Sequence, residues 1–211
     1  CFSKEKEAPL TFLGFFALED PPRSDAKIAV EEAKEAGIET IMITGDHALT
    51  AKAIGRELGI FEEGDRCLTG EDVERLTAEE LAQACDHVSV FARVTPAHKL
   101  KIVKALQQKG HIVAMTGDGV NDAPALQAAD IGCAMGKSGT EVAKGAADLV
   151  LLDDRFSTIL TAVKEGRAIY DNIQKAVHFL LSSNIGEILT LFLAMVLGWE
   201  APLLPKQLLW V

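Results

Sequence analysis

Met115-Thr116-Gly117-Asp118-Gly119-Val120-Asn121-Asp122-Ala123-Pro124 joins the end of an apolar strand to a glycine-rich acidic turn and then to a new helix. The strand itself begins upstream, in Gly110-His111-Ile112-Val113-Ala114. The same arrangement occurs earlier, where Gly37-Ile38-Glu39-Thr40-Ile41-Met42-Ile43 runs into Thr44-Gly45-Asp46. Both segments deliver Thr-Gly-Asp to the carboxyl end of a strand. In open α/β sheets that end is where ligands bind, so the two turns imply one shared site. Gly-Asp is also ordinary turn and N-cap chemistry; the recurrence is what favours a site.

Working outward, short apolar runs that end in Gly or Asp mark strands at 11–17, 40–44, 88–92, 112–116, 131–134 and 149–152. Runs of this kind suit buried parallel strands. Amphipathic stretches separate them. One, over 96–109, has Thr95 as N-cap, Pro96 at the first helical position and Gly110 just past the end, with Ile102, Val103 and Leu106 on a buried side. Alternation of strand and helix predicts an α/β fold with a doubly wound parallel sheet.

The chain has 211 residues, 48% of them apolar, enough for one packed domain and part of a second. A net charge of −10 argues against nucleic acid as a partner, because phosphate neutralisation needs excess Lys and Arg. It suits a site that collects divalent cations and equally an ordinary cytosolic surface. Cys1, Cys67, Cys85 and Cys133 have neither C-x-x-C spacing nor paired His, which excludes a zinc ribbon and favours a reducing compartment. No signal peptide precedes the opening Cys-Phe-Ser-Lys-Glu-Lys, and the chain reads as truncated at both ends.

From Arg155 the pattern becomes continuously helical. Residues 177–197 carry one charged side chain, Glu187. At ~1.5 Å per residue, 21 such residues cover the ~30 Å hydrocarbon core of a bilayer. Lys and Arg precede the span and place its N-terminal side in the cytoplasm, with Trp199 and Trp210 suited to the interface. The alternative is a long buried core helix. The expected layout is the C-terminal part of an α/β domain over 1–155, a cytoplasmic stalk over 156–176, a transmembrane helix over 177–197, and over 198–211 a connector opening the next span.

The residues at the strand ends suit phosphoryl transfer, which needs donors around the equatorial oxygens and a metal to offset charge. Thr44 offers a hydroxyl, and the N–H groups of Gly45 and Asp46 open a helix, a natural anion seat. Lys99, near the start of its helix, brings a positive charge. Asp118 and Asp122 can project from one turn toward Mg²⁺, a hard cation that takes oxygen ligands. Asn121 can donate to a phosphate oxygen without adding charge. Singly, Lys99 reads as a solvated helix face and Asp122 as an N-cap.

The run from Thr116 to Ala125 resembles the hinge signature of the P-type ATPases, members of the haloacid dehalogenase-like superfamily. Asp20-Pro21-Pro22-Arg23 resembles the family's entry into its phosphorylation domain. Met42-Ile43-Thr44-Gly45-Asp46 resembles its second phosphate loop, and Phe91-Ala92-Arg93-Val94-Thr95-Pro96-Ala97-His98-Lys99 the segment bearing its lysine. The resemblance implies that Thr44, Gly45, Asp46, Arg93, Lys99 and Asn121 touch ATP or the phosphoryl group. It implies that Asp118 binds Mg²⁺ with Asp122 orienting it, and that Lys99, Asp118, Asp122 and Thr44 are the catalytic set. The family's phosphorylated aspartate, in Asp-Lys-Thr-Gly-Thr, has no match in this chain. The polypeptide alone is therefore expected not to form a phosphoenzyme.

Asn184 and Glu187 are three apart and share a helix face. A carboxylate at mid-bilayer costs on the order of 2.5–3.5 kcal/mol on insertion scales, so it marks an ion path or a paired polar site. Two oxygen-bearing side chains suit a hard cation; a helix–helix hydrogen bond, with Gly186 permitting close approach, is the alternative. Leu181-Ser182-Ser183-Asn184-Ile185-Gly186-Glu187 resembles the fifth transmembrane helix of calcium pumps of the sarco/endoplasmic reticulum type. Sodium/potassium pumps have Ser-Asn-Ile-Pro-Glu there, so Gly186 favours calcium, with Asn184 and Glu187 as Ca²⁺ ligands. The expectation is thus part of an ATP-driven Ca²⁺ pump in a membrane, acting with the remaining domains of its parent. The alternatives are a pump for Mn²⁺, Na⁺ or H⁺, a soluble phosphatase of the same superfamily, or a non-catalytic module.

Overall fold

The computed structural model describes residues 2–3, 11–12, 14, 22–23 and 25–199. Two compact units divide the chain, Cys1–Thr158 and Ile159–Val211.

The first unit is parallel α/β. It opens with a short antiparallel pair, β1 (Phe2–Ser3) with β2 (Thr11–Phe12). The expected strand at 11–17 is seen only in β2, its remaining positions other than Gly14 lying outside the described residues. Then come α1 (Ala26–Glu35), β3 (Met42–Ile43), α2 (Ala48–Leu58), β4 (Arg66–Thr69), α3 (Gly70–Arg75), α4 (Ala78–Ala84) and β5 (Val88–Ala92). The strands pair in parallel in the order β3-β5-β4. A second parallel sheet, β6-β7-β8, is built from β6 (Ala114–Gly117), β7 (Ile131–Met135) and β8 (Leu149–Leu151). Helix α5 (Pro96–Gln108) precedes it, and α6 (Ala123–Ala128) and α7 (Glu141–Ala146) lie between its strands.

The parallel α/β class is as expected, but the sheet is in two three-stranded parts, since β3 and β6 do not pair with each other. Helix α5 spans the division: Ile102 and Ala105 belong to the core around Phe91, Leu81 and Val73, whereas Val103 belongs to that around Leu126 and Met115. Ile43 packs against both cores. Phe91, Leu81, Ile102 and Leu126 are fully buried, each contributing roughly 1.5–3 kcal/mol by leaving water.

The ends of α5 are set by its own residues. The Thr95 hydroxyl accepts from His98 N–H, and His98 Nδ1 accepts from Thr95 N–H, closing a capping box before Pro96. Beyond the helix, Gly110 takes a φ of +85° that Gly adopts freely.

The second unit is described through α8 (Phe156–Val196), an unbroken helix that starts in the first unit. Its 41 residues extend roughly 60 Å at ~1.5 Å per residue. No helix end marks the expected change from stalk to span at 176–177. Among the described residues α8 is the one helix long and apolar enough to cross a membrane, and its apolar side chains are exposed, Phe179 at 74% and Ile188 at 66%. A buried core helix would hide those side chains. The start of a second span, with Trp210, lies outside the described residues.

Candidate phosphoryl-transfer site

Parallel pairing brings the carboxyl ends of β3 and β5 together, and hydrogen bonds continue beyond the strands. Thr44 N–H donates to the Phe91 carbonyl at 2.9 Å, Arg93 N–H to the Asp46 carbonyl at 3.0 Å, and Val94 N–H to the Thr44 carbonyl at 3.2 Å. The Thr44-Gly45-Asp46 turn is thereby joined to the segment leading to Lys99. Arg93 adopts φ +52°, a left-handed conformation uncommon for a residue with a side chain. The Arg93 carbonyl approaches Gly70 so closely that a Cβ there would lie 2.3 Å from it. Gly70 is therefore required by the path of this loop.

The Thr44 hydroxyl donates to Asp46 Oδ2 at 3.0 Å and accepts from Asp46 N–H at 3.1 Å. The hydroxyl and the N–H expected to face a phosphoryl group are thus engaged with each other's residue. A phosphoryl oxygen has to displace the Asp46 carboxylate to take that hydroxyl. The expectation that Gly45 and Asp46 open a helix is corrected: α2 starts at Ala48, and His47 Nδ1 caps it by accepting from Leu49 N–H at 3.3 Å. Gly45 has no atom within 4 Å of where a Cβ would stand.

On the other sheet, β6 ends in Gly117 and turns sharply. Lys99 Nζ donates to Asp122 Oδ1 at 2.5 Å, with side chains only 20% and 9% exposed. Asp122 Oδ2 accepts from Gly119 N–H at 3.1 Å and Asp118 N–H at 3.3 Å. Burial on its own raises the Asp122 carboxyl, but the Lys99 ammonium and the Gly119 N–H outweigh it and hold the group below its ordinary value. Both Asp122 oxygens face inward, so the idea that Asp118 and Asp122 project together toward a metal needs correction. The turn presents the exposed Asp118 and Asn121 side chains outward, and Asp122 holds the turn's shape. Gly117 is required here, since its Cβ would lie 2.5 Å from that of Asp122.

A single outward carboxylate fits Mg²⁺, which keeps several waters and takes one or two carboxylates plus substrate phosphate oxygens. Among the described residues no group of three or more His, Cys, Asp or Glu side chains forms a closed metal cage. The described cysteines, Cys67, Cys85 and Cys133, are free, with burial raising the Cys85 thiol to about 11.

In α8, Asn184 is exposed and Glu187 half-buried. Glu187 Oε1 is shielded from solvent and has no hydrogen-bond partner among the described residues. Thr190 Oγ1 donates back to the Gly186 carbonyl at 2.7 Å, and nothing lies within 4 Å of a Cβ on Gly186.

Asp154 had no place in the reading of the sequence. It is 7% exposed, has φ +58°, and accepts from Lys137 N–H and Ser138 N–H at 2.8 Å each. The available signal was its position just past an apolar strand, the same setting that singled out Asp46 and Asp118.

Residues 3–130 match the family model described as haloacid dehalogenase-like hydrolase. The chain belongs to that family. Over 205 residues it is 58% identical to Calcium-transporting ATPase 1 of Bacillus cereus (strain ATCC 10987 / NRS 248), covering 97% of this chain and 23% of that protein. Over 208 residues it is 54% identical to the Calcium-transporting ATPase of Bacillus subtilis (strain 168), covering 99% of this chain and 23% of that protein. The chain therefore spans about a quarter of the length of these relatives. Among solved structures, a zinc-transporting PIB-type ATPase in the E2.Pi state superposes with a TM-score of 0.62 at 31% identity, over 87% of this chain and 25% of that one. The parallel sheets and the helix that follows are thus shared with a P-type ATPase.

Proposed function

We propose that this haloacid dehalogenase-like chain is the phosphate-handling and ion-path part of a P-type ATPase that moves Ca²⁺ across a membrane. The observation that carries the reading is the presence in one chain of two features. One is a strand-end turn held by Lys99 and Asp122 with Asp118 facing outward; the other is a membrane-length helix bearing Asn184 and Glu187 on one face.

In this reading Thr44, Gly45, Asp46, Arg93 and Asn121 contact ATP or the transferred phosphoryl group. Lys99 compensates its charge while keeping Asp122 in place. Asp118 holds Mg²⁺, which when bound supplies charge to offset the phosphoryl oxygens. The phosphorylated aspartate comes from the rest of the parent, on a strand that pairs with β3 and β6, which are edge strands among the described residues. The 211-residue chain by itself then takes no stable phosphate from ATP.

Calcium is favoured over zinc by ligand chemistry. Amide and carboxylate oxygens suit a hard cation, whereas zinc favours nitrogen and sulfur. The relatives named as calcium-transporting ATPases point the same way. The exposed apolar surface of α8 argues against a soluble phosphatase. The first unit is then cytoplasmic and α8 crosses the bilayer.

Phosphorylation of the intact protein by γ-labelled ATP tests this reading. Label is expected to depend on Ca²⁺, and Glu187→Gln should abolish that dependence without affecting the fold. Ca²⁺-independent labelling of the unmodified protein, or unchanged Ca²⁺ dependence in the variant, contradicts it.

A further inference from the structure

A chain of short contacts runs from the residue two positions before α8 to the outward-facing aspartate. Arg23 Nη1 donates to the Asp154 carbonyl. The Asp154 carboxylate, buried and set at a left-handed φ, receives Lys137 N–H on Oδ1 and Ser138 N–H on Oδ2. Gly136 N–H donates to the Leu151 carbonyl at 2.9 Å, fixing the same loop to the end of β8. The loop's far end is Thr140, whose N–H donates to the Asp118 carbonyl at 2.8 Å.

Two glycines allow the loop this close path. A Cβ on Gly136 would stand 2.7 Å from the Leu151 carbonyl oxygen, and one on Gly139 2.0 Å from that of Met135. The Lys137 N–H leads the causes that hold the Asp154 carboxyl down at about 2, so it is charged under all ordinary conditions. A charged carboxylate accepting two N–H groups is a stronger tie than a neutral side chain provides.

We propose that Asp154 is a positioning residue for Asp118: its carboxylate fixes the loop over residues 136–140, and the last N–H of that loop fixes the backbone of the metal-facing turn. It rests on the reading of Asp118 as the Mg²⁺ ligand. Asp154 touches neither metal nor substrate and acts through the Thr140–Asp118 bond. Groups that orient a metal ligand from behind change affinity by about 10-fold or more when removed.

The test uses the full 211-residue chain in detergent, with Mn²⁺ alone as a paramagnetic probe for the Mg²⁺ site. The readout is the Mn²⁺ concentration that half-broadens the Gly117 and Gly119 amide signals. Asp118→Asn should abolish the saturable broadening. Asp154→Asn tolerates the left-handed backbone but has one acceptor oxygen for two N–H donors. It should raise the midpoint about 10-fold and shift the Lys137 and Ser138 amide signals. Thr140→Pro removes the N–H at the other end of the relay, and the φ of −71° at that position accepts the ring. It should raise the midpoint similarly, whereas Thr140→Ala, which loses only the helix cap, should not. If Asp154→Asn does not fold, the two Thr140 variants decide. Wild-type midpoints in folded Asp154→Asn or in Thr140→Pro overturn the proposal and leave the Asp118 reading standing. Unchanged broadening in Asp118→Asn overturns the metal reading, and the proposal with it.

Discussion

Lys99 Nζ lies 2.5 Å from Asp122 Oδ1, while the other oxygen of that carboxylate receives the N–H groups of Gly119 and Asp118. One buried side chain thus ties the first turn of α5, which spans both sheets, to the turn that presents Asp118. The positive charge at the site is already committed to a partner, and its orientation is fixed by that pairing.

Removing the ammonium leaves a carboxylate nearly buried with only backbone donors. Lys99→Ala should therefore destabilise the fold by about 2 kcal/mol, less than for a fully buried pair because Lys99 keeps some solvent contact. The Asp122 carboxyl should rise, as burial then acts without the opposing cation. Urea unfolding and carboxyl NMR titration measure the two effects. An unchanged unfolding midpoint contradicts the pairing.

The glycines separate close approach from open space. Gly117→Ala places a methyl 2.5 Å from Asp122 Cβ and should cost about 1–3 kcal/mol. Gly145, in α7, has nothing within 4 Å, so Gly145→Ala should stabilise by roughly 0.5–1 kcal/mol through helix propensity. Thermal unfolding of the two variants should move in opposite directions.

Acid should act on Asp154 and Asp122. Both have folded-state values below the unfolded one, so their stabilising contributions are present at neutral pH and are lost as pH falls. For Asp154 the loss runs from roughly pH 4, the unfolded value, down to about 2. Asp154→Asn should flatten the stability–pH curve in that window and lower it by a constant amount above pH 6. A curve parallel to wild type below pH 4 contradicts the tie.

Strands framed by apolar runs were legible: β5 occupies the expected 88–92, and β7 and β8 differ from their expected bounds by one residue. Strand β4 was missed because Arg66-Cys67-Leu68-Thr69 is short and mixed in polarity, and it becomes a strand only by pairing with β5. The expected strand at 40–44 shortened to Met42–Ile43, since among the described residues β3 pairs on one edge only. The site residues announced themselves through repeated turn chemistry, but their partners did not. That Asp122 faces Lys99 and that Asp154 holds a loop 16 residues upstream depend on tertiary approach, which spacing does not encode; the His47 cap on α2 is local, but His is not among the usual N-cap residues. The left-handed φ of Arg93 was equally hidden, because no glycine marks it.

ATP-driven uptake of labelled Ca²⁺ by proteoliposomes of the intact protein tests the central claim most directly. The account predicts uptake that requires Mg²⁺ and is lost in both Asp118→Asn and Glu187→Gln. Undiminished uptake in Glu187→Gln, or ATP-driven uptake of Zn²⁺ in place of Ca²⁺, contradicts it.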